Sequence, residues 1–369
     1  MNSPLRPSLP AHVPLPEKII LDQEAAGTPM AERVIAGLPG VPVEELLPGQ
    51  DIFGIMTKKN SPVIYLKHYR GRFLRPCPAT KRYRCCGYQI IHIGENCPLN
   101  CSYCILQAYF QDRILKVWAN QEDLKKELDQ AFGRNKNRKF RVGTGEFTDS
   151  LALEQLTGYS GDLIDFLNDY PEVILELKSK VIDLTWMQKA ASTRGVLPAW
   201  SVNSPDIIRA EEHGASTLEQ RLGAAKHCAD SGFRVCLHFD PIIHYPGWKK
   251  GYSLAVEMIL DYLKAENIAY ISLGSFRFMP GLKDVIIQNH PRSNYIYNEF
   301  ITGLDGKTRL LLPLRLEQFR HIAQRLKKGG IWEQLYFCME SDLVWQDVLG
   351  RTPADIGGLP AYLLQRSGL

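Results

Sequence analysis

The chain has 369 residues, 45% of them apolar and 23% charged, ordinary proportions for a globular protein with a sizeable core. A formal net charge of +4 permits nucleic-acid contact without demanding it. The first ten residues lack the basic-then-apolar pattern of a signal peptide, and no apolar run approaches the roughly 20 residues of a membrane span, so a cytoplasmic protein without membrane association is expected.

Residues 1–60 are rich in Pro and Gly and carry one predicted helix, 30–37, closed by Leu38-Pro39-Gly40; they read as an N-terminal extension. From Tyr88 short apolar runs alternate with helical patterns, the sequence form of repeated βα units on a parallel sheet. The predicted strands are 89–93, 140–143, 173–177, 197–202, 233–239 and 268–273. The predicted helices between them cover 121–132, 161–168, 184–191, 217–231 and 253–264. Six such units make an α/β fold, an open partial (β/α)6 barrel, with its chemistry at the C-terminal ends of the strands. From Asp284 the rhythm breaks: 300–312 reads as two strands joined at Asp305-Gly306, and 316–328 as an amphipathic helix. The expected organisation is an extension over 1–80, the barrel over 81–283, and a hairpin and helical region over 284–369.

Nine cysteines stand at Cys77, Cys85, Cys86, Cys97, Cys101, Cys104, Cys228, Cys236 and Cys338. Clustered thiols in a reducing compartment point to metal binding or catalysis before disulfides. Cys97, Cys101 and Cys104 have C-x3-C-x2-C spacing, three thiolates that can hold an iron–sulfur cluster and leave one iron without a protein ligand; closed electron-transfer clusters take four. A structural zinc site is the alternative, but zinc takes four ligands, usually as two paired motifs, and no second pair follows here. Cys77, Cys85 and Cys86 precede the first barrel strand, either as ligands of a second metal with Cys338 or as small buried hydrophobes. Basic runs at 67–72 and 81–84, both with interleaved tyrosines, and a third at 134–141 are either phosphate- and base-contacting segments or solvated faces.

The triad's spacing matches the signature of radical S-adenosylmethionine enzymes, and over roughly residues 88–260 the chain resembles the spore photoproduct lyase family. The residues that carry the resemblance begin with Cys97–Gln107, which reads C-x3-C-x-Y-C-x-L-Q and includes Tyr103. Thr148-Asp149, Leu156-Thr157, Lys178-x4-Asp183, Ser201-Val-Asn203 and Pro241–Tyr252 follow in order, the last as P-I-x4-G-W-x2-G-Y. The resemblance implies a [4Fe–4S] cluster on Cys97, Cys101 and Cys104, with S-adenosylmethionine chelating the open iron and reductively cleaved to a 5'-deoxyadenosyl radical. It also implies a low-potential electron donor of flavodoxin or ferredoxin type, and a lyase reaction on a pyrimidine photolesion in DNA. It assigns Lys178 to the cofactor with Thr148, Ser201 and Asn203 nearby, and Tyr103 to radical relay or substrate positioning.

Two positions depart from the family. Glu146 stands where the lyase carries the cysteine that returns a hydrogen atom to the product radical, and a carboxylate cannot replace it because its O–H bond is too strong. Ile105 stands where the lyase has a tyrosine directly after the third cluster cysteine. Either another thiol such as Cys236 or Cys338 donates instead, or the scaffold acts on a small molecule, an RNA or a peptide. Glu146 also has a reading of its own. Gly143-Thr-Gly-Glu146 lies about forty residues past Cys104, where many radical S-adenosylmethionine enzymes place a motif for the methionine amino group, a charge-assisted pair. The hairpin tip, with Leu304, Lys307 and Arg309, falls where the lyase inserts a hairpin into DNA, so Leu304 is the candidate wedge and the two cations are candidate phosphate contacts.

Overall fold

The computed structural model describes residues 13–47, 49–52, 62–78, 82–110, 112–134 and 138–369. The first ten residues, Lys81 of the second basic run and residues 135–137 of the third lie outside the described residues. The main sheet runs in chain order through β1 (Leu74–Pro76), β2 (Gln89–Ile91), β3 (Phe140–Gly143), β4 (Val173–Ser179), β5 (Val196–Ser201), β6 (Val235–Ile242), β7 (Ile268–Ser275) and β8 (Leu335–Phe337). Neighbours from β2 to β8 pair in parallel, and β1 pairs antiparallel with β2. The six predicted strands form the curled half-barrel, and β1 and β8 extend its two edges. Strands covered on both faces read as continuous apolar runs, which is why Val173-Ile-Leu and Val196-Leu stand out in the sequence.

The helices Gln121–Gly133, Tyr159–Leu167, Leu218–Asp230 and Trp248–Tyr262 return the chain between strands. A capping box of Thr217 and Gln220 opens Leu218–Asp230. Two helices begin four or five residues earlier than predicted: the one expected from 253 starts at Trp248, after Gly247 at φ +88°, and the one expected from 316 spans Leu312–Lys328 with Pro313 in its first turn. The helix expected over 184–191 is a 3-10 turn, Thr185–Lys189, because Asp183 accepts from the Thr185 N–H at 2.9 Å and draws that turn tight.

The N-terminal part holds more than its helix, Pro29–Gly37. Lys18–Asp22, Val43–Leu46 and Val63–Lys67 pair in parallel and are joined by Leu115–Trp118, with Gly94–Glu95 antiparallel at the edge. The last two strands flank the cysteine loop, so this second sheet braces it from both ends. The 300–312 hairpin forms as Phe300–Thr302 and Thr308–Leu310, with Arg277–Phe278 added as a third strand. Among the described residues no helix is long and apolar enough to cross a membrane.

Candidate active site

A cavity of about 450 Å³ opens at the C-terminal ends of the parallel strands. That volume is in the range that holds a cofactor-sized ligand. Its walls come from successive strand exits: the cysteine loop after β2, Gly145–Asp149 after β3, Lys178 and Lys180 at the end of β4, Ser201 of β5, Asp240 and Pro241 of β6, and Phe276 and Arg277 after β7.

Several bonds hold the cysteine loop in shape. Asn96 enters it at φ +67°, and its side-chain amide donates to the carbonyls of Asp112 (3.1 Å) and Ile114 (2.9 Å). The Gln107 amide donates back to the carbonyls of Cys101 (2.9 Å) and Ser102 (3.1 Å), which accounts for the Leu-Gln of the motif. Glu212 and His213 pair antiparallel with Cys101 and Asn100. Cys97, Cys101 and Cys104 all line the cavity, yet no three His, Cys, Asp or Glu side chains among the described residues converge on one ion-sized point. Three thiols from one loop beside the cavity are the number that holds a [4Fe–4S] cluster with one iron left open, whereas a structural zinc site takes four ligands. Burial pushes all three thiols above the ordinary cysteine value, so ligation has to displace their protons.

Glu146 and Lys178 line the wall beyond β3 and β4. Burial raises the Glu146 carboxyl, and the Lys178 charge partly offsets it. Burial also opposes the charge on Lys178, but the carboxylates of Glu146, Asp240 and Glu176 outweigh it and hold the ammonium above the ordinary lysine value. The first glycine of Gly143-Thr-Gly-Glu146 is required by space: a Cβ at Gly143 would lie 1.8 Å from the Tyr88 hydroxyl and 2.6 Å from the Glu176 carbonyl. Thr148 lines the cavity, while its neighbour Asp149 ties the β3 exit to β4, accepting from the Ser179 hydroxyl (2.7 Å) and the Lys180 N–H (2.9 Å). Asp240, which precedes a cis peptide to Pro241, makes two 3.2 Å contacts with the Arg277 guanidinium.

The structure separates the remaining predicted residues. Ser201 lines the cavity. Asn203 does not: its amide donates to the Pro241 carbonyl at 2.9 Å and its carbonyl accepts from Tyr252 at 2.7 Å and from the Ser204 N–H at 3.0 Å, so its hydrogen-bonding groups are spent inside the loop. Tyr103 presents its ring to the cavity, but its hydroxyl donates to Glu212, which is paired in turn with Arg221. In the hairpin, Leu304 is 78% exposed at the tip and Lys307 lines the cavity. Arg309 is turned inward and is not available to a phosphate. It pairs with Asp305 at 2.6 Å, stacks on Tyr83 at 4.2 Å and donates to the Met339 carbonyl at 3.4 Å. The tyrosines of the basic runs are likewise engaged, Tyr83 with Arg309 and Tyr69 stacked on Trp118 at 4.5 Å.

Neither cysteine named from the sequence as a replacement donor reaches the cavity. Cys236 is fully buried in β6, and Cys338 accepts from Arg277 at 3.4 Å behind the wall. The thiol that does line the cavity is Cys77, which follows β1. Its signal was indirect: Leu74-Arg-Pro is too short and too polar to read as a strand, and only pairing with β2 carries Cys77 to the site.

A curled parallel half-barrel with this triad after its first parallel strand and a cofactor-sized cavity at its strand ends defines the scaffold of a radical S-adenosylmethionine enzyme. The family model "Spore photoproduct lyase" matches residues 84–301, and the chain belongs to that family. It is 20% identical to the spore photoproduct lyase of Clostridium acetobutylicum, over 75% of this chain and 83% of that protein. It is 25% identical to that of a Geobacillus strain, over 57% and 62%. A spore photoproduct lyase double mutant solved with bound AdoMet and dinucleoside spore photoproduct shares the fold at TM-score 0.75 and 18% identity, covering 88% of this chain and 99% of that one.

Proposed function

We propose that this enzyme uses a [4Fe–4S] cluster and S-adenosylmethionine to repair a pyrimidine photolesion in DNA, with Cys77 as the hydrogen-atom donor. The observation that carries the reading is a shared cavity wall. The three cluster cysteines, Glu146 and Lys178, the hairpin's Lys307 and the Cys77 thiol all line one cavity. When bound, the cluster and cofactor supply a 5'-deoxyadenosyl radical that abstracts hydrogen from substrate.

Around that chemistry the chain's own residues have separable tasks. Cys97, Cys101 and Cys104 hold the cluster; Glu146 faces the cofactor's ammonium, and Lys178 its carboxylate, with Thr148 and Ser201 as hydrogen-bonding neighbours. Tyr103, fixed by Glu212, offers a ring face to position the ligand. Leu304 enters the duplex from the hairpin tip and Lys307 meets a phosphate. Burial, and next the Glu146 carboxylate, pushes the Cys77 thiol up, so it keeps the proton that a hydrogen-atom donor has to carry. Electrons come from a low-potential donor of flavodoxin or ferredoxin type.

The test is anaerobic turnover in D2O with dinucleoside spore photoproduct and with lesion-bearing duplex, using Cys101→Ala as the blank. Lesion-stimulated 5'-deoxyadenosine, together with thymine that carries one solvent deuterium, is expected. Cleavage of S-adenosylmethionine that ignores both lesions overturns the DNA reading and directs the search to a small molecule, an RNA or a peptide. Deuterium transfer that survives Cys77→Ala removes Cys77 as donor.

A further inference from the structure

One charged pair of the cavity wall has no task in the reaction so far. Asp240 and Arg277 stand at the exits of β6 and β7, beyond the β2 to β5 exits that carry the cysteine triad, Glu146, Lys178 and Ser201. The guanidinium meets both carboxylate oxygens at 3.2 Å, and it also donates to the Ser275 carbonyl and the Cys338 sulfur, each at 3.4 Å. The fold makes room for this pair at Gly274 of β7. A Cβ there would lie 2.6 Å from an Asp240 oxygen and 2.9 Å from an Arg277 nitrogen, so no side chain fits between them.

The pairing occupies Arg277 but leaves Asp240 with acceptor capacity. A carboxylate offers about four lone-pair sites, of which the guanidinium takes two. The Asp240 side chain is still 19% exposed where it lines the cavity. Burial opposes its ionisation, but Arg277 and after it Lys178 outweigh burial and hold the carboxyl below its ordinary value. A carboxylate whose charge is compensated in this way suits a neutral N–H donor. The cofactor's ammonium is better served by Glu146, which no guanidinium meets among the described residues. The wall on either side of the pair is apolar: Pro241 follows Asp240, Phe276 precedes Arg277, and both line the cavity. Phe276 is itself held by stacking on Phe278 at 5.0 Å and by the edge of Tyr295 at 5.3 Å. A flat heterocycle laid against Pro241 and Phe276 brings its edge to Asp240. Enzymes that act on an extruded base read it by this combination, hydrogen bonds to its Watson–Crick edge and packing between aromatic or apolar side chains.

We propose that Asp240 selects a thymine-type half of the lesion by accepting a hydrogen bond from its imide N–H, with Arg277 as the positioning residue that fixes the carboxylate. The inference rests on the photolesion reading. A thymine-type ring presents that N–H between two carbonyls, and the carboxylate meets it directly. A cytosine-type ring has a lone-pair nitrogen at the same place, which the carboxylate repels. Asp240 is thus a specificity-determining residue whose effect is on the choice of lesion, while the hydrogen-atom chemistry stays with the groups already named.

The test measures equilibrium binding to the full-length, cluster-loaded protein, anaerobically and with S-adenosylmethionine but no reductant, so that nothing turns over. The ligands are dinucleoside spore photoproduct, its analogues methylated on the imide nitrogen of either half, and an analogue with a cytosine-type ring in one half. In the parent, methylation of one of the two halves is expected to weaken binding about tenfold to a hundredfold, the worth of a hydrogen bond to a charged group. This arm needs no variant and does not depend on one folding. In Asp240→Asn the amide oxygen stays with Arg277 and the amide N–H turns to the ligand. The ratio of thymine-type to cytosine-type affinity is then expected to fall by about tenfold or more. A parent that binds the methylated and cytosine-type lesions as well as the unmodified one overturns the proposal. So does an Asp240→Asn protein that loses affinity for every lesion by the same factor, the result of a purely structural pair. A parent that binds no lesion overturns the repair reading together with this inference, whereas lesion binding without discrimination overturns this inference alone.

Discussion

Arg221 ties the cysteine loop to the cavity wall, and replacing it by Met tests how much that tie is worth. Its guanidinium pairs with Glu212 and donates to the carbonyls of Ser201 (2.8 Å) and Ser216 (2.9 Å). Glu212 in turn accepts the Tyr103 hydroxyl and sits opposite Cys101 in the ladder. Both ion-pair side chains are at most 1% exposed, so water cannot stand in for the lost partner. Removing one member of such a pair costs about 3–5 kcal/mol, since the other charge stays buried without compensation. The pH dependence follows from the carboxylate. In the parent, burial is the largest influence and opposes ionisation of Glu212, but Arg221, Lys180 and the Tyr103 hydroxyl together outweigh it, Arg221 most of all, and the carboxyl lies below its ordinary value. Its contribution to stability is therefore full above the unfolded carboxylate value and is lost as pH falls through the lower folded value. In Arg221→Met burial prevails, the folded value rises above the unfolded one, and the folded state gains a proton that the unfolded state has released. The penalty accordingly shrinks as pH falls from 7 to 5, by about 1.4 kcal/mol for each unit the folded value has risen into that window. Urea denaturation of parent, Arg221→Met, Glu212→Gln and the double variant at both pH values measures it, with a coupling of roughly 0.5–3 kcal/mol expected from the cycle. A loss under about 1 kcal/mol at pH 7, the size of an exposed pair, or one that does not change with pH, would refute the reasoning.

Three further outcomes are expected. Glu146→Gln removes the carboxylate of a charge-assisted bond, about 1.5–3 kcal/mol, and S-adenosylmethionine binding to the cluster-loaded protein, followed by calorimetry, weakens some ten- to a hundredfold; unchanged affinity would place the ammonium elsewhere. Leu304→Ala slows repair of lesion-bearing duplex while leaving the dinucleoside lesion unaffected, because only the duplex has to be opened; equal loss on both substrates would exclude a wedge. Arg309→Ala lowers the melting temperature, since it strands buried Asp305, and leaves the salt dependence of DNA binding as in the parent; a shallower salt slope with unchanged melting would mean that Arg309 meets phosphate after all.

How far the sequence reveals the molecule depends on where its physical signals are local. The barrel strands are buried on both faces, so Val173-Ile-Leu and Ile268-Ala-Tyr-Ile declare themselves as apolar runs. The N-terminal strands Lys-Ile-Ile-Leu-Asp and Val-Ile-Tyr-Leu-Lys are equally apolar at their centres, but the Pro and Gly around them outweighed that signal. The cysteine triad is legible because cluster ligation needs three thiols within one loop. Arg309 was misread for the opposite reason: a cation next to a hairpin tip looks exposed until its Asp305 partner and the Tyr83 ring, 226 positions away in sequence, are seen around it.

Cys77 shows the same limit from the side of function. In sequence it belongs to a group of three cysteines, Cys77, Cys85 and Cys86, that lies 11 to 20 residues ahead of Cys97, with nothing to choose it over Cys236 or Cys338. What selects it is the antiparallel addition of β1 to the half-barrel edge, which brings it to the cavity while the strand interior keeps Cys236 in the core. The exit of β3 carries Glu146 and that of β1 carries Cys77, and the Glu146 charge acts on the Cys77 thiol, so the two face a common volume. Under the proposed repair reaction, a carboxylate at Glu146 leaves the donor thiol to come from another strand end, and Cys77 stands at one. On this scaffold that exchange needs no change of fold, because donor and acceptor of the hydrogen atom have only to share the cavity, not a strand.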